Sequence, residues 1–208
     1  MKKNLFIALE GIDGSGKSTQ VQLLGERLQA AGHKTYVTFE PTNGMIGSVL
    51  RNILKGVMKA DERTIAGLFL ADRLDHLLNE DNGLVRKMAE GYTIVTDRYY
   101  FSSYAYHGTH MDMDWVIQCN SMCAQILRPD VTIFADVPPE VCMQRISANR
   151  QSTELYETLE NLQNVRAKYM EAFDKLQGEE RVVIVNGDQP VERTADDIWA
   201  CLQPYLNK

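Results

Sequence analysis

The 208-residue sequence has little of what marks a secreted, membrane-bound or nucleic-acid-coating protein. It has four cysteines, Cys119, Cys123, Cys142 and Cys201, and no CxxC pair, so neither a disulfide framework nor a zinc ribbon is written into it. Cys119 and Cys123 stand four apart and share a helix face, but two ligands do not make a zinc site. All four read as reduced thiols. No apolar run approaches the ~20 residues of a membrane span, and the run at 5–9 stops at Glu10, too short for a signal peptide. Positive charge is in deficit, with 22 Lys and Arg against 28 Asp and Glu and a net charge of −6, which argues against non-specific nucleic-acid binding. The four histidines form no motif. These absences lead us to expect a soluble, cytoplasmic protein with neither nucleic acid nor membrane as partner.

What the sequence does have is a rhythm. Short runs rich in β-formers recur at 5–9 (LFIAL), 35–39 (TYVTF), 92–96 (YTIVT), 131–135 (VTIFA) and 181–185 (RVVIV). They show little alternation, as expected of strands buried on both faces of a parallel sheet. Between them lie amphipathic stretches. Val21, Leu24 and Leu28 recur at helical spacing before a stop at Gly32, and Ile65, Leu68, Phe69, Leu74, Leu77 and Leu78 mark a helix opened by Asp61 as N-cap. Residues 112–128, 139–149, 155–177 and 190–206 read as helices too. The alternation predicts one α/β domain over 1–208 with a parallel sheet.

Glycine is concentrated where the first strand ends. LEGIDGSGKSTQ (9–20) carries the spacing Gly11-x-x-x-x-Gly16-Lys17-Ser18, the phosphate-binding P-loop pattern, with a strand before it and a helix starting at Lys17. In that context the backbone N–H groups from Gly14 through Ser15 and Gly16 to Thr19 are expected to form an anion nest at a helix N-terminus. Lys17 would reach the β- and γ-phosphates, and the Ser18 hydroxyl would ligate Mg²⁺. No [NT]-K-x-D loop is present and the sole D-x-x-G lies inside the P-loop at Asp13, so a regulatory GTPase is not expected.

A second stretch, TIVTDRYYFSSYAYHG (93–108), ends a buried strand at Asp97-Arg98. Ligands of open α/β sheets bind at that end of a strand. A carboxylate there suits Mg²⁺ or its waters, and a guanidinium has the fork for a phosphate.

The combination of GIDGSGKST, FEPT (39–42), LFLADR (68–73) and DRYYFSSYAYHG (97–108), in this order over essentially the whole chain, resembles the thymidylate kinase family. The resemblance implies a five-stranded parallel P-loop sheet with helices on both faces, a short lid at about 144–160, a homodimer, and transfer of the ATP γ-phosphoryl to dTMP with Mg²⁺. Matched position by position, it implies that Asp13 contacts the acceptor 3′-OH, Phe69 stacks on thymine, and Arg73 bonds a base carbonyl. Ser103 and Tyr106 line the base and the 2′ edge, Arg98 holds the acceptor phosphate, Pro41 shapes the pocket, and Tyr156 closes over the sugar. Arg145 is expected on the adenine, beside the loop at 186–190. The chain departs from the family in its mobile arginine. Gly14 occupies the P-loop position where some members carry one, and Leu155 occupies the lid position where others do, which leaves Arg150 as the expected transition-state arginine. The helices at 44–57, 61–79 and 112–128 are the expected dimer contact.

Three alternatives stay open. In a deoxynucleoside kinase Glu40 would be the base that deprotonates a sugar hydroxyl, although the tryptophan that follows in that family is absent here. A kinase for another nucleoside monophosphate differs by one serine and one arginine. A nucleotide sensor without turnover would account for Leu155.

Overall fold

The computed structural model describes residues 4–149 and 155–206. Five strands, β1 (Phe6–Glu10), β2 (Thr35–Phe39), β3 (Thr93–Asp97), β4 (Val131–Asp136) and β5 (Val182–Asn186), pair in the order β2-β3-β1-β4-β5. Every pairing is parallel. Among the described residues the helices are α1 (Lys17–Ala30), α2 (Met45–Leu54), α3 (Glu62–Leu78), α4 (Leu84–Ala89), α5 (Tyr100–His107), α6 (Met113–Ile126), α7 (Pro139–Asn149), α8 (Leu159–Lys175) and α9 (Val191–Leu206).

The unbroken apolar strands have a packing reason. Phe6, Ala8, Ile94 and Phe134 face one core with Tyr99, Tyr104 and Tyr169, whereas Ile7, Leu9, Val95 and Ile133 face another with Val21, Leu24, Ile198 and Leu202. Successive side chains on β1 therefore meet helices on opposite faces, and the residues from Phe6 to Leu9 are apolar on both. The edge strands β2 and β5 are only half-buried.

The five strand runs and the parallel sheet are as read from the sequence, with shifts of a residue at some ends. Asp61 caps α3 by accepting from the Arg63 N–H at 3.0 Å. The stretch expected as one helix over 155–177 begins later, at Leu159. Thr158 caps α8 by accepting from the Asn161 N–H at 3.2 Å, and Leu155 to Glu157 precede it as a turn. The short α4 was not anticipated.

Parallel order brings every strand's following loop to one edge. Strand β1 sits between β3 and β4, where the chain's crossovers diverge to opposite sides, the topological switch point at which such sheets bind ligands.

Candidate active site

At that point the loop 11–16 turns into α1 through two left-handed glycines, Gly14 (φ 81°) and Gly16 (φ 82°). A Cβ at Gly14 would lie 2.6 Å from the Cys142 carbonyl oxygen, so no side chain, arginine included, fits there. One expectation for the nest is corrected. The Ser15 N–H turns inward to the Ile12 carbonyl (3.2 Å) and is not free for a ligand, because the loop closes its own turn with it. The first turn of α1, from Lys17 through Ser18 to Thr19, keeps the N–H groups that every helix start leaves unpaired. Lys17 is buried, its Nζ 3.8 Å from Asp13 Oδ1. Burial lowers its ammonium pKa, as does Arg98, while Asp97 and Asp13 pull it back.

Lys17, Ser18, Asp97 and Arg98 line one cleft. Ser18 Oγ donates to Asp97 Oδ2, and Asp97 Oδ1 is buried with no partner among the described residues. A hydroxyl beside a carboxylate with an unfilled oxygen, at the foot of a phosphate loop, is the hard-oxygen donor set that Mg²⁺ takes from protein, with phosphates and water completing the shell. These residues fit the ion.

A second cavity opens beside the loop. Asp13, Pro41, Phe69, Arg98, Ser103, Tyr106 and Tyr156 all line it, together with Leu54, Ser102 and His107. Tyr106 Oη donates to Asp13 Oδ2 (2.8 Å), Arg98 Nη2 reaches Asp13 Oδ1, and Arg98 Nη1 donates to Ser102 Oγ (3.0 Å). Burial holds the Tyr106 phenol pKa far above its ordinary value, so it remains a donor. Tyr156 packs against the Tyr106 ring (centroids 5.8 Å) and donates to Glu62 Oε2 at 2.6 Å.

Arg73 does not line this cavity. It lies behind Ser103, fully buried, with every N–H engaged: Nε and Nη2 on Glu40 (2.8 and 2.7 Å), Nη1 on Ser103 Oγ (2.9 Å) and Asn120 Oδ1 (2.6 Å), and Nη2 also on the Tyr99 carbonyl (3.1 Å). Helical spacing puts Phe69 and Arg73 on one face, yet Glu40 draws the guanidinium inward. Glu40 is filled in turn, its Oε1 3.0 Å from His76 Nδ1. Burial would raise its pKa, but Arg73 and His76 hold it below the ordinary carboxylate range.

On the other side of the P-loop, Gly14, Ser15, Thr19, Arg145, Gly187 and Gln189 line a further cleft. Arg145 donates there to the Gly187 carbonyl (3.3 Å), so the arginine and the 186–190 loop do meet. Arg150 lies outside the described residues.

A family model for thymidylate kinase matches residues 9–198. The chain belongs to the thymidylate kinase family. It is 34% identical to a probable thymidylate kinase of Pyrococcus horikoshii, with 98% of each chain covered. It is 37% identical to a putative thymidylate kinase of Aeropyrum pernix (93% of this chain, 91% of that one). A putative thymidylate kinase of Treponema pallidum is 33% identical, covering 96% and 95%.

Two residues of this family member escaped the sequence reading. His107 is buried against Phe69 (centroids 5.2 Å), with Nδ1 unpartnered among the described residues; its spacing of four from Ser103 along α5 is the only sequence signal for it. Glu10 is a fully buried carboxylate beneath Arg98. Its signal is an acid ending an otherwise apolar strand.

Proposed function

We propose that this protein transfers the γ-phosphoryl group of ATP to dTMP, giving dTDP and ADP for dTTP synthesis. The observation that carries the reading is the cavity where Phe69, Ser103 and Tyr106 stand beside Arg98, next to the P-loop cleft. The thymidylate kinase family membership supports the same acceptor.

The residue types suit the reaction. A phosphomonoester loses its second proton at about pH 6, so the acceptor oxygen is anionic at neutral pH and needs no base. It bonds to the γ-phosphorus as the bond from that phosphorus to the β–γ bridging oxygen breaks, and the electron pair leaves with ADP. The work is therefore positioning and charge neutralisation. Lys17 and the N-terminus of α1 hold the donor phosphates. Ser18 and Asp97 would hold Mg²⁺, which would supply positive charge against the donor phosphates. Arg98 takes the acceptor phosphate, and Asp13 the 3′-OH. Phe69 stacks on the base, Ser103 reads its edge with Arg73 fixing the serine oxygen from behind, and Tyr106 crowds the 2′ position against a ribose hydroxyl. Pro41 and Tyr156 close the pocket, and Arg145 covers the adenine. Arg150 is our transition-state arginine. The enzyme acts in the cytoplasm as a homodimer.

Glu40 is not poised as a sugar base, because Arg73 and His76 occupy both of its oxygens. An ADP-release assay with MgATP tests the reading against dTMP, dUMP, dCMP, dGMP, UMP and thymidine. Rapid turnover of dTMP, weak turnover of dUMP and none of thymidine are expected, and Arg150→Ala is expected to lower kcat by at least about tenfold, roughly 1.4 kcal/mol. Turnover of thymidine without dTMP overturns the assignment, and an unchanged kcat removes Arg150 from it.

A further inference from the structure

Glu10 ends the central strand with a side chain sealed from solvent, and nothing in the reaction above uses it. Four donors converge on it. Oε1 accepts from the backbone N–H groups of Tyr99 (2.8 Å) and Ser102 (3.2 Å), and Oε2 accepts from the hydroxyls of Ser102 (2.6 Å) and Tyr169 (2.8 Å). Burial raises the pKa of this carboxyl, while Ser102, Arg98, Tyr99 and Tyr169 pull it back; as a carboxylate it is an acceptor only, with about four lone-pair sites, and the four donors fill them.

Three of these donors belong to the segment that follows Arg98, and Arg98 is the residue that needs holding. Its φ of 72° is the one left-handed value at a non-glycine among the described residues, a conformation that a side chain with a Cβ adopts only when its surroundings impose it. Its own N–H donates to the Leu9 carbonyl (2.9 Å), and Thr96 Oγ1 donates to its carbonyl (2.9 Å). The next N–H along the chain, that of Tyr99, is the one Glu10 takes. The side chain is held through the same carboxylate: Ser102 gives its proton to Glu10 and offers its lone pair to Arg98 Nη1 at 3.0 Å.

We propose that Glu10 is a positioning residue, locking the left-handed turn at Arg98 and, through Ser102, aiming the guanidinium at the phosphate of the acceptor. This rests on Arg98 being the acceptor-phosphate ligand. A carboxylate that only plugs the core would serve a phosphorylated and an unphosphorylated acceptor alike. One that aims Arg98 matters only when a phosphate is there.

Calorimetric titration of dTMP and thymidine into the wild type and Glu10→Gln separates these roles. Glutamine keeps the shape but puts an NH₂ where two hydroxyls donate. The variant is expected to bind dTMP at least about tenfold more weakly, roughly 1.4 kcal/mol, with thymidine and ATP affinities within about twofold of wild type. In an Arg98→Ala background the same substitution should change dTMP affinity by less than about twofold, because coupled residues do not add. Equal losses for thymidine and dTMP, or an undiminished loss without Arg98, overturn the proposal. If Glu10→Gln does not fold, Tyr169→Phe removes one donor from Oε2, and the dTMP-to-thymidine preference should fall about two- to threefold through the same coupling; an unchanged preference overturns it. A wild type that binds dTMP no better than thymidine overturns the acceptor reading as well.

Discussion

His107 carries the clearest pH signature of any single residue near the acceptor cavity. Burial, with Arg73 adding repulsion, lowers its pKa from 6.5 to about 3. The unfolded chain therefore takes up a proton below pH 6.5 that the folded one refuses, and the folded state loses stability as pH falls from there toward about 3. The slope from this group alone is ~1.4 kcal/mol per pH unit. His107→Gln, which does not titrate, should flatten the stability profile between about pH 4 and 6 by that amount, as measured by urea denaturation at a series of pH values. A profile parallel to wild type would mean that His107 is protonated in the folded protein. The same neutral ring packs on Phe69, so the wall of the cavity carries no charge where a base would stack.

At the scale of elements, α2 sets the floor of the acceptor pocket through one glycine. A Cβ on Gly47 would lie 2.0 Å from the Thr42 carbonyl oxygen and 2.7 Å from its carbon, so α2 lies directly on the loop that carries Pro41. Gly47→Ala must push that loop aside. Overpacking of this kind costs about 1–3 kcal/mol, and since Pro41 lines the cavity, KM for dTMP should rise while KM for ATP stays. An alanine variant with wild-type melting temperature and KM would show that the loop yields freely. The elements themselves were legible to different degrees. Strands β1 and β4 were plain from composition because helices cover both of their faces. The start of α1 was plain because the P-loop glycines mark it. The onset of α8 was not, since the polar stretch before Leu159 has helical composition and only the Thr158 cap breaks it. Helix α4, with six residues, is too short for a period to be read.

For the whole molecule, apolar surface remains at Met45 and Val49 on α2, Leu78 on α3, and Trp115 and Met122 on α6. These helices are the ones expected to meet a second copy, and an apolar side chain exposed on each of them is what such a contact would cover. Light scattering at micromolar concentration should give twice the chain mass of 23.6 kDa; the single-chain mass would remove the dimer. By itself the sequence determined the parallel sheet, the P-loop turn and the family. Strand burial and the P-loop turn are written in neighbouring residues, and the family motifs are short contiguous strings. Only the tertiary structure decided which polar side chains are free to meet a ligand. Arg73 is spent on Glu40, Ser103 and Asn120, and Glu10 on Tyr99, Ser102 and Tyr169. Each of those partners stands 30 or more residues away along the chain. Whether a donor is already satisfied depends on what folding brings beside it, and no local spacing records that.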